Sequence, residues 1–207
     1  MNIESLLTHQ DDFISYASSL QDAIDVMTRY DIHYIVIVQN NLPVGILTEK
    51  DIVRLYHEGV DFEELAYNYA TTSLISVNIK RPIGFILTLM SDNDIKRVII
   101  TNDKAHYCGT VSLEDIIYLF ESEIDQHHIL ITQLCHKGNL ASIIAQDASL
   151  DLALGTMNKK AIESIVVGDE ELNPIGIITQ SDIVKLAQNS TDLQQCVKEF
   201  MHSPILV

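Results

Sequence analysis

Residues 45–53 read GILTEKDIV, and the pattern returns as GTVSLEDII at 109–117 and as GIITQSDIV at 176–184. In each copy a glycine opens a short apolar run, Thr48, Ser112 or Thr179 ends it, and an aspartate, Asp51, Asp115 or Asp182, follows three residues later. A hydroxyl residue followed three positions on by an acid marks a helix start, because the two side chains cap each other's backbone amides. One copy signifies a helix start, whereas three copies in register signify a repeated unit.

The residues upstream repeat as well. Leu20, Ala23, Ile24 and Met27 fall at the spacing of one helical face, as do Ile83, Ile86, Leu87 and Met90, and Leu150, Ala153, Leu154 and Met157. Between that face and the glycine each copy has a β-branched run (35–38, 98–100 and 165–167) and then a polar turn (39–41, 102–104 and 169–171). The unit therefore reads helix, strand, reversing turn, strand, helix. It is too small to cover its own sheet, so two units are expected to pack face to face.

The expected fold class is α+β: two-layer units, each a small β-sheet with two helices, paired through their sheets. The expected boundaries are 1–60, 61–124 and 125–190, with 191–207 as the lead-in of an incomplete fourth unit.

Composition narrows the function. The chain has 207 residues, 47% hydrophobic, and a formal net charge of −16. That charge argues against nucleic acid and against anionic membranes, both of which demand a basic footprint. The segment MNIESLLTHQDDF lacks the basic and apolar regions of a signal peptide, and no apolar run approaches the roughly 18 residues of a membrane span. Cys108, Cys135 and Cys196 form no CxxC pair, so reduced thiols and a cytoplasmic location are expected.

With its helix ending in Met, its β-branched strand and its closing G-h-h-[T/S]-x-x-D-h-h, the repeat resembles the CBS domain, named after cystathionine β-synthase. The resemblance covers nearly the whole chain. It implies that consecutive domains pair into a flat module with two clefts that hold adenosine-containing ligands. It further implies that the hydroxyl residue contacts phosphate and the aspartate holds the ribose hydroxyls, which carries over to Thr48 and Asp51, Ser112 and Asp115, and Thr179 and Asp182. The sequence departs from the family at the middle strand, where Ile35, Val98 and Ile165 stand in place of a proline beside the base pocket.

The flanking residues distinguish the three copies. Lys96 and Arg97 precede the second unit's strand and are expected to neutralise phosphate. His33 holds that place in the first unit, suited to stacking on or bonding an adenine, and Glu163 in the third, where it would repel phosphate. Arg54 and Lys185 read as solvated helix charges. His127, His128, Cys135 and His136 are zinc-type residues, but their spacing matches no common site and no metal is expected.

No nucleophile elbow, Gly-rich phosphate loop or HExxH helix occurs, so no enzyme activity is expected. The expected function is a regulatory module that requires no cofactor, senses an adenine nucleotide (with magnesium where the nucleotide brings it), forms a homodimer and signals to a fused or partner output domain. The alternative is a dimerisation scaffold whose clefts stay empty.

Overall fold

Three copies of one small sheet organise the chain in a computed structural model that describes residues 7, 12–124 and 141–204, of 119–124 the backbone alone. The first repeat comprises β1 (Phe13–Ser15), α1 (Leu20–Tyr30), β2 (Tyr34–Gln39), β3 (Leu42–Thr48) and α2 (Glu49–Glu58). The second comprises β4 (Ser76–Asn78), α3 (Ile83–Asn93), β5 (Arg97–Thr101), β6 (Tyr107–Ser112) and α4 (Leu113–Ile124). The third comprises β7 (Ile143–Ala145), α5 (Leu150–Lys160), β8 (Ser164–Gly168), β9 (Pro174–Thr179) and α6 (Gln180–Gln188).

Each sheet has three strands in sequence order, one more than the hydrophobic pattern predicts. The added strand, β1, β4 or β7, is three residues long and runs parallel to the next, with Ile14 against Ile37, Val77 against Ile100 and Ile144 against Val167. So short a strand carries no readable alternation. The first hairpin follows ordinary turn chemistry. Asn40 and Asn41 both take positive φ (52° and 67°), as a two-residue hairpin turn requires.

The helices bury the face their spacing predicts. Leu20, Ala23, Ile24 and Met27 are buried, as are Leu150, Ala153, Leu154 and Met157; in α3 Ile83, Ile86 and Met90 are buried while Leu87 lies at the core's edge. Ser19 and Ser149 cap α1 and α5 through their hydroxyls, whereas Pro82 at the same position of α3 offers no side-chain cap. α1, α3 and α5 all end on a left-handed residue: Asp31 (φ 52°), Asp94 (φ 50°) and Ala161 (φ 51°).

The chain divides into two compact units. One unit (1–16, 36–46 and 70–137) contains most of the sheet residues of the first repeat and the whole of the second. Here the amide of Tyr107 donates to the carbonyl of Asn41 at 2.8 Å, and the Phe13 and Tyr107 rings meet edge to face at 5.9 Å, so the two sheets are paired as expected. The other unit (17–35, 47–69 and 138–207) packs α1 and α2 of the first repeat against α5 and α6 of the third. Val53 joins Leu154, Met157 and Ile183 in its core, and Gln188 donates to Asp25 at 3.0 Å.

Among the described residues, no helix is long and apolar enough to cross a membrane, and no group of three or more His, Cys, Asp or Glu is arranged to hold a metal ion. His127, His128, Cys135 and His136 lie outside the described residues.

Candidate functional site

The motif glycines mark places where another segment crosses a strand. The segment after the first repeat bridges Thr71 to Ile46 through amide–carbonyl bonds of 2.9 and 3.0 Å, and a Cβ on Gly45 would lie 2.9 Å from that of Ala70. The segment after the third repeat bridges His202 to Ile177 in the same way (2.9 and 3.0 Å), with Met201 against Gly176. Leu7 packs against Gly109. The strand beneath each crossing then runs two or three residues on to Thr48, Ser112 or Thr179.

At the helix starts one aspartate oxygen serves the cap. Oδ2 of Asp51 accepts from the amide and hydroxyl of Thr48 at 2.9 and 2.8 Å. Oδ2 of Asp115 accepts likewise from Ser112 at 2.8 and 2.6 Å, and Oδ2 of Asp182 from Thr179 at 2.8 and 2.8 Å. In the second and third repeats the hydroxyl also accepts from the aspartate's amide, at 3.1 and 3.3 Å. The hydroxyl is therefore spent on the cap.

The first helical amide is spent too. Those of Glu49, Leu113 and Gln180 donate to the carbonyls of His33, Lys96 and Glu163 at 3.1, 2.8 and 3.0 Å. These three bonds put His33, Lys96 and Glu163 at structurally equivalent positions. An α-helix leaves its first amides without internal acceptors. Among the described residues, no cap or strand group accepts from the second one, of Lys50, Glu114 or Ser181.

The second aspartate oxygen separates the repeats. Oδ1 of Asp51 lies 3.8 Å from Arg54, one turn along its own helix. Oδ1 of Asp115 makes no hydrogen bond among the described residues. Oδ1 of Asp182 accepts from Nε2 of His202 at 2.7 Å; an ionised carboxylate can only accept, so the imidazole donates.

The flanking residues are more engaged than sequence alone predicts. His33 Nδ1 lies 3.1 Å from Glu49 and 3.4 Å from Ser181. Arg97 donates to Thr110 at 3.4 Å, and Thr110 in turn donates to Asp12 at 3.2 Å. Asp12 is fully buried and also accepts from the Tyr107 hydroxyl at 2.6 Å. Arg54 and Lys185 are ion-paired, not merely solvated: Arg54 to Glu58 at 3.1 Å and Lys185 to Asp31 at 3.5 Å. Reading the sequence missed Asp12 and His202. His202 had a signal, since it stands where Thr71 stands in the first repeat.

The CBS-domain family model matches residues 3–58, 66–122 and 142–189. The chain belongs to the CBS-domain family. A CBS domain-containing protein, YhcV of Bacillus subtilis, is 26% identical over 116 residues, 56% of this chain and 82% of its own length. A homoserine O-acetyltransferase of Methanocorpusculum labreanum is 26% identical over 117 residues, again 56% of this chain; the match spans only 23% of that enzyme. Among solved structures, protein MJ1225 of Methanocaldococcus jannaschii superposes with a TM-score of 0.82 at 16% identity, over 100% of this chain and 84% of that one. PAE2072 of Pyrobaculum aerophilum, complexed with AMP, gives 0.54 at 17% identity over 61% of this chain and 100% of its own. The CBS pair of MJ0100, complexed with 5′-methylthioadenosine and S-adenosyl-L-methionine, gives 0.53 at 22% identity over 59% and 98%. At these identities the structural likeness establishes the fold.

Proposed function

We propose that this CBS array is a regulatory module that binds an adenosine-containing ligand of the AMP, ATP or S-adenosylmethionine type and relays its occupancy to a fused or partner output domain. The observation that carries this reading is the divided use of Asp51 and Asp115, in which the cap fixes one oxygen and the other takes no hydrogen bond among the described residues, that of Asp51 having only the Arg54 guanidinium at 3.8 Å. A ribose diol needs a rigidly held carboxylate acceptor, and a phosphate needs N–H donors, which the second helical amides supply. The adenosine compounds bound by two proteins of like fold support the ligand class.

Thr48 with Asp51 and Ser112 with Asp115 form the two principal sites in this reading. The second suits phosphate better, because Lys96 and Arg97 flank Ser112 while His33 and Glu49 flank Thr48. Against a net charge of −16, AMP or a cationic sulfonium nucleoside binds more readily than free ATP, and magnesium narrows that gap. The ligand changes the relation of strand and helix ends within a homodimer in the cytoplasm, as a population shift. Boundaries of 1–60, 61–124 and 125–190 divide the domains, with 191–207 leading into a fourth. No step of this mechanism makes the chain an enzyme.

Isothermal titration with AMP, ATP, ATP–magnesium and S-adenosylmethionine tests the reading. Saturable binding that is lost in Asp51→Ala or Asp115→Ala supports it; the absence of binding by all four overturns it. One observation favours an interaction scaffold instead. Phe85 on α3 and Ile117 and Tyr118 on α4 are 43%, 47% and 77% exposed, large apolar side chains of the kind that interfaces cover. A dimer that Tyr118→Ser dissociates, in a protein that binds no nucleotide, would establish that second reading.

A further inference from the structure

Asp182 differs from its two counterparts in that both of its carboxylate oxygens accept hydrogen bonds from the protein. Oδ2 carries the cap from Thr179, and Oδ1 takes the bond from His202 at 2.7 Å. The carboxylate side chain is only 11% exposed, whereas the imidazole is 72% exposed.

The backbone beneath the imidazole is held firmly. His202 exchanges two hydrogen bonds with Ile177, two residues before Thr179. Its neighbour Met201 packs with Phe200 and Val197 on the core around Leu154 and Ile178. The side chain itself has no such restraint, so a rotation at an exposed imidazole releases Oδ1 without moving the chain. In the first repeat the same two-bond crossing is made by Thr71 on Ile46, and Asp51 has Arg54 of its own helix at 3.8 Å instead.

We infer that His202 closes the third site: its N–H occupies the place of a ribose hydroxyl on Asp182, so a nucleoside with a free 2′,3′-diol must displace the imidazole to enter. The inference rests on the reading of the three aspartates as ribose acceptors given above. His202 thereby sets how many sites the chain offers at low ligand concentration, leaving those of Asp51 and Asp115 open and the third closed.

The test is titration of the full chain with adenosine, whose lack of charge removes the effect of the acidic protein. It compares wild type, His202→Ala, His202→Thr (the residue of position 71) and His202→Ala/Asp182→Ala, with circular dichroism as the control for folding. The expected result is one additional site in both single variants, or about tenfold tighter binding at the third site, as suits removal of one charge-assisted bond. The double variant should lose that site again. Unchanged or weaker binding in both single variants, with the Asp51 and Asp115 sites intact, overturns the closure alone. Absence of adenosine binding in every variant overturns both the closure and the ribose reading beneath it.

Discussion

Met201 fills the space that a Cβ on Gly176 would need, and the carbonyl of His202 would lie 3.0 Å from that added atom. The motif glycine is thus set by the crossing segment and not by the helix cap that follows it. Gly176→Ala forces that segment off β9 and is expected to cost about 1–3 kcal/mol, the usual range for overpacking. Gly84, at the second position of α3, has nothing within 4 Å of its added Cβ. Gly84→Ala should stabilise, by up to about 0.5–1 kcal/mol. Urea unfolding of both variants checks the opposite signs; equal small effects would mean that the crossing segment yields without cost.

Ala161 ends α5 in the left-handed region, where Asp31 and Asp94 end α1 and α3. The short polar side chains of those aspartates tolerate this conformation, but alanine pays for its Cβ. Ala161→Gly removes a cost of about 1–2 kcal/mol and adds about 0.5–1 kcal/mol of unfolded-chain entropy. The net expectation is a gain of about 0.5–1 kcal/mol, read as a higher urea midpoint at unchanged slope. A loss on this substitution would show that residue 161 is not held left-handed in solution.

The repeat was legible because its signals are local. Glycine, hydroxyl and aspartate lie within seven residues of one another, and Leu20 to Met27 span two turns, so pattern alone placed the helices and the hairpin strands. The three-residue strands β1, β4 and β7 were not legible, since their pairing with the next strand decides them. The candidate site was legible as residue identities but not as states. Nothing near Asp182 in sequence says that His202 takes its second oxygen, and nothing near Asp12 says that Tyr107 lies above it. Both depend on segments crossing strands that are distant in the chain.

Asp169 and Asp103 contribute to the acid limb of stability at two exposed places. The side chain and backbone amide of Asn173 hold the Asp169 carboxyl below the ordinary aspartate value of 3.8, and Lys80, with Asn78, does the same for Asp103. A depressed folded pKa contributes stability that is present above the unfolded value and is lost as pH falls through the folded one. The midpoint of thermal unfolding should therefore fall below pH 3.8 more steeply in wild type than in Asp169→Asn/Asp103→Asn. Parallel curves would show that neither carboxylate is held in solution.

Cys108 works in the opposite direction. Burial raises its thiol above the ordinary value of 9.0, because the thiolate loses solvation. A raised folded pKa contributes stability that is present below the unfolded value and declines as pH rises above about 9. The native thiol should accordingly react with a disulfide reagent at pH 8 several-fold more slowly than in the urea-unfolded chain. A native rate equal to the unfolded one would place Cys108 in water.

Asp12, beside β1 of the first repeat, accepts hydrogen bonds from two residues of β6 in the second. It is fully buried, accepts from the Tyr107 hydroxyl at 2.6 Å and from Thr110 at 3.2 Å, and Arg97 donates into the same chain at 3.4 Å. Removing the carboxylate takes their shared acceptor from the buried Thr110 hydroxyl and the half-buried Tyr107 hydroxyl, at about 1–3 kcal/mol for a fully buried group and less for a half-buried one. Asp12→Ala should therefore destabilise by more than 2 kcal/mol, while Tyr107→Phe, which removes one donor and leaves Asp12 its bond from Thr110, should cost only about 1 kcal/mol. In the double variant the cost should fall short of the sum, because the orphaned hydroxyl of Tyr107 is gone. Additive costs in that cycle would separate Asp12 from Tyr107 and place the burial of this carboxylate under some other partner.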